Sequence, residues 1–181
     1  MGKTENKNVA VYVDTPNIYR SNIDYSYKNN RLAAYFKKEY KSISKFNEYW
    51  ALGSSSPYHR TDPVKLNQSI FNMAKLGITM VPAPSFGHEN PKNITDTMIT
   101  VDMIEDLHMN DSIDVFVIVT SDCDFIPVFK KVIERGKEAV LVLVSESGNL
   151  EKFCDNMGVE ILNLSTIMRL QENGYGGDQE C

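Results

Sequence analysis

Residues 113–133 read I-D-V-F-V-I-V-T-S-D-C-D-F-I-P-V-F-K-K-V-I. The first half, Val115 to Val119, is an unbroken run of β-branched and aromatic residues. That is the pattern of a strand buried on both faces, as in a parallel sheet. The period then changes. Phe125, Val128, Phe129, Val132 and Ile133 fall on one arc of a helical wheel, and Arg135-Gly136 supplies a helix end. Between strand and helix stand two carboxylates one residue apart, Asp122 and Asp124. In open α/β sheets the C-terminal edge of the strands is where ligands bind. Two carboxylates this close repel unless a proton or a cation lies between them. The plainer reading makes Asp124 an N-cap, with Phe125 as the first helical residue and Pro127 in the first turn. A cap needs one carboxylate, which leaves the second without a structural use.

A strand followed by an acid recurs at Val9–Val13, which runs into Asp14 and, past Thr15-Pro16, into Asn17. Alone, this segment reads equally well as a turn. A third acid comes from a helix expected from Thr95 or Asp96 to about His108. At 100° per residue, Asp96 shares the arc of Ile99, Met103 and Leu107, the core-facing side. Asp102 and Asp106 fall on the flank and Glu105 nearly opposite. A carboxylate in the first turn, facing the core, has to be paired, protonated or bound to metal. Asp96 is therefore the better ligand candidate, and Asp102 is expected behind the site or on the surface.

The remaining apolar runs place strands at 46–52, 78–81, 139–144 and 159–162. Helices are expected at about 30–41, 62–76 and 149–156, the second ending before Gly77. Residues 82–91, with His88 and Glu89, read as an irregular loop. Strands alternating with helices predict an α/β fold: a doubly wound, mainly parallel sheet with helices on both faces. A single domain is expected over residues 1–168, with a disordered tail over 169–181.

Composition bounds the class. The 181 residues are 42% hydrophobic and 24% charged, ordinary for a soluble globular domain. The N-terminus lacks an apolar segment, and no apolar run is long enough to span a bilayer. Cys123, Cys154 and Cys181 have neither disulfide nor zinc spacing, which fits a reducing cytoplasm. The net charge of −5 argues against a passive nucleic-acid coat. It is unevenly spread, however. Residues 1–60 carry ten Lys/Arg and five Asp/Glu, against nine and nineteen in residues 61–181. An acidic half beside a basic half suits a metal site acting on a polyanion. Residues 19–45 mix tyrosines with Lys and Arg, a combination that can stack bases and hold phosphates. Half-buried helix packing is the commoner use of such tyrosines, and a homodimer is left open.

Strand-end acids (Asp14, Asp122, Asp124) and a helix-start acid (Asp96) are thus expected at one edge of the sheet. Hard oxygen donors select Mg²⁺ or Mn²⁺. Such an ion acidifies water and clamps phosphate oxygens, so phosphodiester hydrolysis is the leading chemistry.

Four segments also carry a family resemblance: V-Y-V-D-T-P-N (11–17), K-N-I-T-D-T-M-I-T-V-D-M (92–103), V-I-V-T-S-D-C-D-F-I-P-V (117–128) and R-G-K-E-A-V-L-V (135–142). The chain resembles the NYN domain, a PIN-like nuclease family that includes the LabA/DUF88 proteins, over about residues 8–165. The resemblance implies a PIN-like fold, Mg²⁺ or Mn²⁺ held by acids, and the endoribonuclease activity of the family's active members; single-stranded RNA is the substrate expected here. It carries the family's acids onto Asp14, Asp96, Asp122 and Asp124, its polar partner onto Asn17, and its basic residue onto Lys92. Thr15-Pro16 and Ser121 stand where the family favours glycine, and residues 19–60 look private to this chain. In this reading Asn17 and Thr120 orient water or a phosphate oxygen. Arg20, Lys92, Ser121 and Ser145 contact the RNA. Two other classes stay open: a module that binds RNA or protein without cutting, and a haloacid-dehalogenase-type phosphatase. The latter also uses D-x-D after a strand, but Phe125 and the late position of the pair speak against it.

Overall fold

In the computed structural model, which describes residues 6–21, 31–51, 63–83 and 91–174, the run Val115–Val119 is completely buried. It forms most of a central strand. The strands are β1 (Asn8–Asp14), β2 (Ser42–Ala51), β3 (Thr79–Ala83), β4 (Val115–Thr120), β5 (Glu138–Leu143) and β6 (Glu160–Asn163). They make one sheet in the order β3-β2-β1-β4-β5-β6, with every pairing parallel. The helices are α1 (Thr15–Arg20), α2 (Arg31–Glu39), α3 (Pro63–Lys75), α4 (Pro91–Met109), α5 (Ile126–Glu134), α6 (Gly148–Met157) and α7 (Leu164–Gly174).

Side chains of a strand alternate between faces, and both faces here are apolar. Val9, Val11 and Val13 join Val115, Val117 and Val119 on one side. They pack with Ile18 of α1, Phe36 of α2, Met73 of α3 and Ile167 of α7. The intervening Ala10, Tyr12, Phe116 and Ile118 face the other side, against Ile99 and Met103 of α4, Phe129 of α5 and Leu150 of α6. This is why the strands read as continuous apolar runs.

The strand order has a consequence for ligands. The chain winds outward from β1 to β3, returns along α4 to β4 at the centre, and then winds out to β6. Its direction therefore reverses between β1 and β4. Doubly wound sheets open a crevice at such a switch point, outside the C-terminal strand ends. Asp14 ends β1, and Asp122 lies two residues past the end of β4.

One irregularity positions side chains. Val9 pairs with Ile43, but Ala10 pairs with Lys45, so Ser44 is an extra, exposed residue in β2. Such a bulge re-aims everything beyond it. As a result Phe46 and Trp50 join the α1–α2 side, and Tyr49 faces α4.

Three expectations need correction. Helix α4 begins at Pro91, four residues before Thr95, so Asp96 lies in its second turn. Proline at a first helical position costs no hydrogen bond, and the start follows from that. The boundary expected at residue 168 falls inside α7, a helix missing from the sequence reading. Asn163 caps α7: its Oδ1 accepts from the amides of Ser165 (3.0 Å) and Thr166 (3.3 Å). Asn163→Ala is expected to cost about 1 kcal/mol, read as a lower midpoint in urea unfolding. The third is the cap after β4, which is Asp122 in place of Asp124. The loop with His88 and Glu89 lies almost wholly outside the described residues, as do residues 175–181. No helix among the described residues is long and apolar enough to cross a membrane.

Candidate active site

Asp14 is fully buried at the end of β1, and its Oδ2 accepts a hydrogen bond from Thr120 Oγ1 at 3.0 Å. Thr120 ends the neighbouring β4 and is itself fully buried. The same hydroxyl accepts from the Asp122 amide at 3.1 Å. One hydroxyl thus joins the acid of β1 to the loop that carries the acids of β4. Asp122 Oδ1 then accepts from the Asp124 amide at 3.1 Å, capping a single 3-10 turn, Cys123–Phe125. The cap is therefore Asp122 and not Asp124, because this tight turn precedes α5 and Phe125 is its last residue. Phe125 is buried among the α4 and α5 side chains and pins the turn to the core. Asp124 is left exposed.

Asp122, Cys123 and Asp124 present one donor atom each, all within 4.8 Å of one another. Donors on opposite sides of an ion with bonds of ~2.1 Å lie roughly 4 Å apart, so this spacing suits a shared cation. Among the described residues, neither Asp14 nor Asp96 joins that group at this spacing. Cys123 is a third possible donor in this group, which cysteine spacing does not indicate. Its place between two acids was the available signal.

Two tyrosines show how α4 lies on the sheet. Tyr49 Oη donates to Asp102 Oδ2 and Tyr12 Oη to Asp106 Oδ2, both at 2.6 Å. Tyr49 is level with Asp14 in the β1–β2 ladder, and Tyr12 lies two residues nearer the strand start. Helix α4 therefore runs antiparallel to the strands. Asp96, six residues before Asp102, is roughly 9 Å further along the axis, on the side of the strand ends. It is half-buried beyond the apolar stripe of Ile99, Met103 and Leu107, and α4 also packs against the 3-10 turn. Burial, followed by the bond to Asp106, pushes the Tyr12 phenol far above its ordinary pKa; burial and Asp102 do the same to Tyr49. Both hydroxyls keep their protons and act as donors at neutral pH.

Asn17, Ser121 and Ser145 are linked to one another next to these acids. Asn17, in α1, accepts from the Ser121 amide through Oδ1 at 3.3 Å. Ser121 Oγ donates to the Ser145 carbonyl (2.9 Å) and accepts from the Ser145 amide (2.7 Å). Arg20 is exposed at the end of α1. Lys92 is in the first turn of α4, and its side chain lies outside the described residues. Three tyrosines of the 19–45 segment serve packing. Tyr19 meets Trp50 edge-on, and Tyr35 and Tyr40 meet Phe36. Tyr25, Tyr27 and Lys28 lie outside the described residues.

The sequence matches the NYN domain over residues 8–161. The chain belongs to the NYN domain family. With that family comes the PIN-like nuclease superfamily, and neither the binding-module nor the phosphatase reading is favoured. Comparison with curated proteins gives no match. The matched range of the NYN domain contains every acid discussed above, from Asp14 to Asp124.

Proposed function

We propose that this NYN domain is a divalent-metal-dependent endoribonuclease hydrolysing phosphodiester bonds of single-stranded RNA. The observation that carries the reading is the Thr120 bridge. It ties Asp14 to the Asp122-Cys123-Asp124 turn at the point where the winding of the sheet reverses. Asp14, Asp96, Asp122 and Asp124 would hold Mg²⁺ or Mn²⁺, because their donors are hard oxygens of the kind those ions select. Cys123 adds a softer donor beside them. The ion, when bound, supplies an acidified water and offsets charge on the phosphate oxygens.

The chain's own residues do the rest. Thr120 fixes the Asp14 carboxylate and the Asp122 backbone with one hydroxyl. Asn17, held through Oδ1, commits its amide NH₂ as a donor to substrate oxygen. Ser121 and Ser145, locked to each other, form a polar rim for the backbone of the strand. Arg20 and Lys92 attract phosphate, whose charge dominates the affinity for nucleic acid.

Purified protein is expected to cut unstructured RNA in Mn²⁺ and to stop on addition of EDTA. RNA that is bound in Mn²⁺ yet remains whole, at the same affinity with and without EDTA, would overturn the enzymatic reading in favour of a binding module.

A further inference from the structure

Helix α4 is fastened to the sheet at two points one turn apart. Tyr49 of β2 holds Asp102, and Tyr12 of β1 holds Asp106. Lys45 of β2 pairs with the same Asp106 oxygen. Lys45 and Tyr49 reach this face because the bulge at Ser44 sets them there. Apolar contact through Ile99, Met103 and Leu107 is non-directional and tolerates rolling of the helix. A hydroxyl on a carboxylate is short and directional. Two such bonds, from adjacent strands to residues four apart, fix both the roll of α4 and its position along its axis.

We propose that Tyr12 and Tyr49 are positioning residues of the acidic site: by holding Asp106 and Asp102, they set where Asp96 stands relative to Asp14 and Asp122. The proposal rests on the reading of these acids as metal ligands. The lever is short, since Tyr49 lies directly beside Asp14 in the ladder. The hydroxyls are separable from the packing of the rings. Tyr12 stacks on Phe116, with centroids 6.4 Å apart and planes within 5°, a contact that phenylalanine keeps.

The test is Mn²⁺ binding by calorimetry, with thermal unfolding of the same samples, on Tyr12→Phe, Tyr49→Phe, Tyr49→Phe/Asp102→Asn and Ile167→Val. Each tyrosine variant is expected to bind Mn²⁺ about tenfold or more weakly, the usual cost of losing a group that orients a ligand. Adding Asp102→Asn to Tyr49→Phe is expected to cause no further loss, because the same link is already cut. Ile167→Val, on the opposite face, is expected to lower the Tm while binding as wild type does, so that weaker binding is not a consequence of lost stability alone. Wild-type affinity in both tyrosine variants overturns the positioning role and leaves the acidic site standing. A wild-type protein that binds no Mn²⁺ overturns the acidic site and this inference with it.

Discussion

Asp122→Asn is expected to reduce Mn²⁺-dependent RNA cleavage by at least about 100-fold while the Tm stays within a few degrees. The separation follows from the two uses of one side chain. As a cap, Asp122 needs only an acceptor oxygen for the Asp124 amide at 3.1 Å. Asparagine keeps that oxygen and ranks as high as aspartate in the capping order. As a member of the donor group with Cys123 and Asp124, Asp122 needs its negative charge. Asparagine lacks it. A loss of roughly 3–4 kcal/mol of electrostatic stabilisation corresponds to 10²–10³ in rate. Asp122→Ala removes both functions and is expected to lose about 1 kcal/mol of stability besides. The pair of variants, assayed for cleavage and for unfolding, therefore separates chemistry from structure. Cleavage by Asp122→Asn at the wild-type rate would remove Asp122 from the catalytic set.

The parts of the fold legible in the sequence are those whose cause is local. Val115–Val119 had to be a doubly buried strand because each of its residues meets one helical layer or the other. The arc of Ile99, Met103 and Leu107 marks the buried face of α4, although the helix starts at Pro91 and not at Thr95 or Asp96. What escaped depends on neighbours distant in the chain. Asp102 and Asp106 looked like flank residues. They are flank residues, but Tyr49 and Tyr12 reach them from the sheet. Nothing local marks that pairing, because it exists only once β2 has been laid beside β1 with one residue looped out. Likewise Thr120 read as the end of a strand, and its role as a bridge between two acids appears only where β1 and β4 lie adjacent. Helix α7 was lost for another reason. Its apolar positions, Leu164, Ile167 and Met168, form a short stripe followed by the glycine-rich run Gly174-Tyr175-Gly176-Gly177, and a lone Asn163 is a weak start signal.

Two single-residue deletions three positions apart in β2 are expected to differ by nearly the whole stability of the protein. Ser44 is the looped-out residue. With it gone, Ile43 still faces Val9 and Lys45 still faces Ala10, now in a regular ladder. The adjustment falls on the exposed start of the strand, and a cost below about 1 kcal/mol is expected. Asn47 lies past the bulge and pairs with Tyr12. Its removal shifts Glu48, Tyr49 and Trp50 by one place, and a shift of one flips every side chain to the opposite face. Trp50 would leave the α1–α2 core and Tyr49 would lose Asp102. The bulge offers one escape, by absorbing the deletion. It would restore Tyr49 opposite Asp14 only by swinging Lys45 in beside Val11 and Phe46 out of its core. Evicting a buried phenylalanine costs about 3–5 kcal/mol, and burying an unpaired ammonium adds to that. Against a typical total of roughly 5–15 kcal/mol, the Asn47 deletion is expected to give little folded protein at 25 °C by circular dichroism and urea titration. The Ser44 deletion is expected to unfold close to the wild-type midpoint. Equal midpoints for the two deletions would mean that register in β2 does not depend on the bulge, and the aim of Tyr49 and Lys45 toward α4 would need another cause.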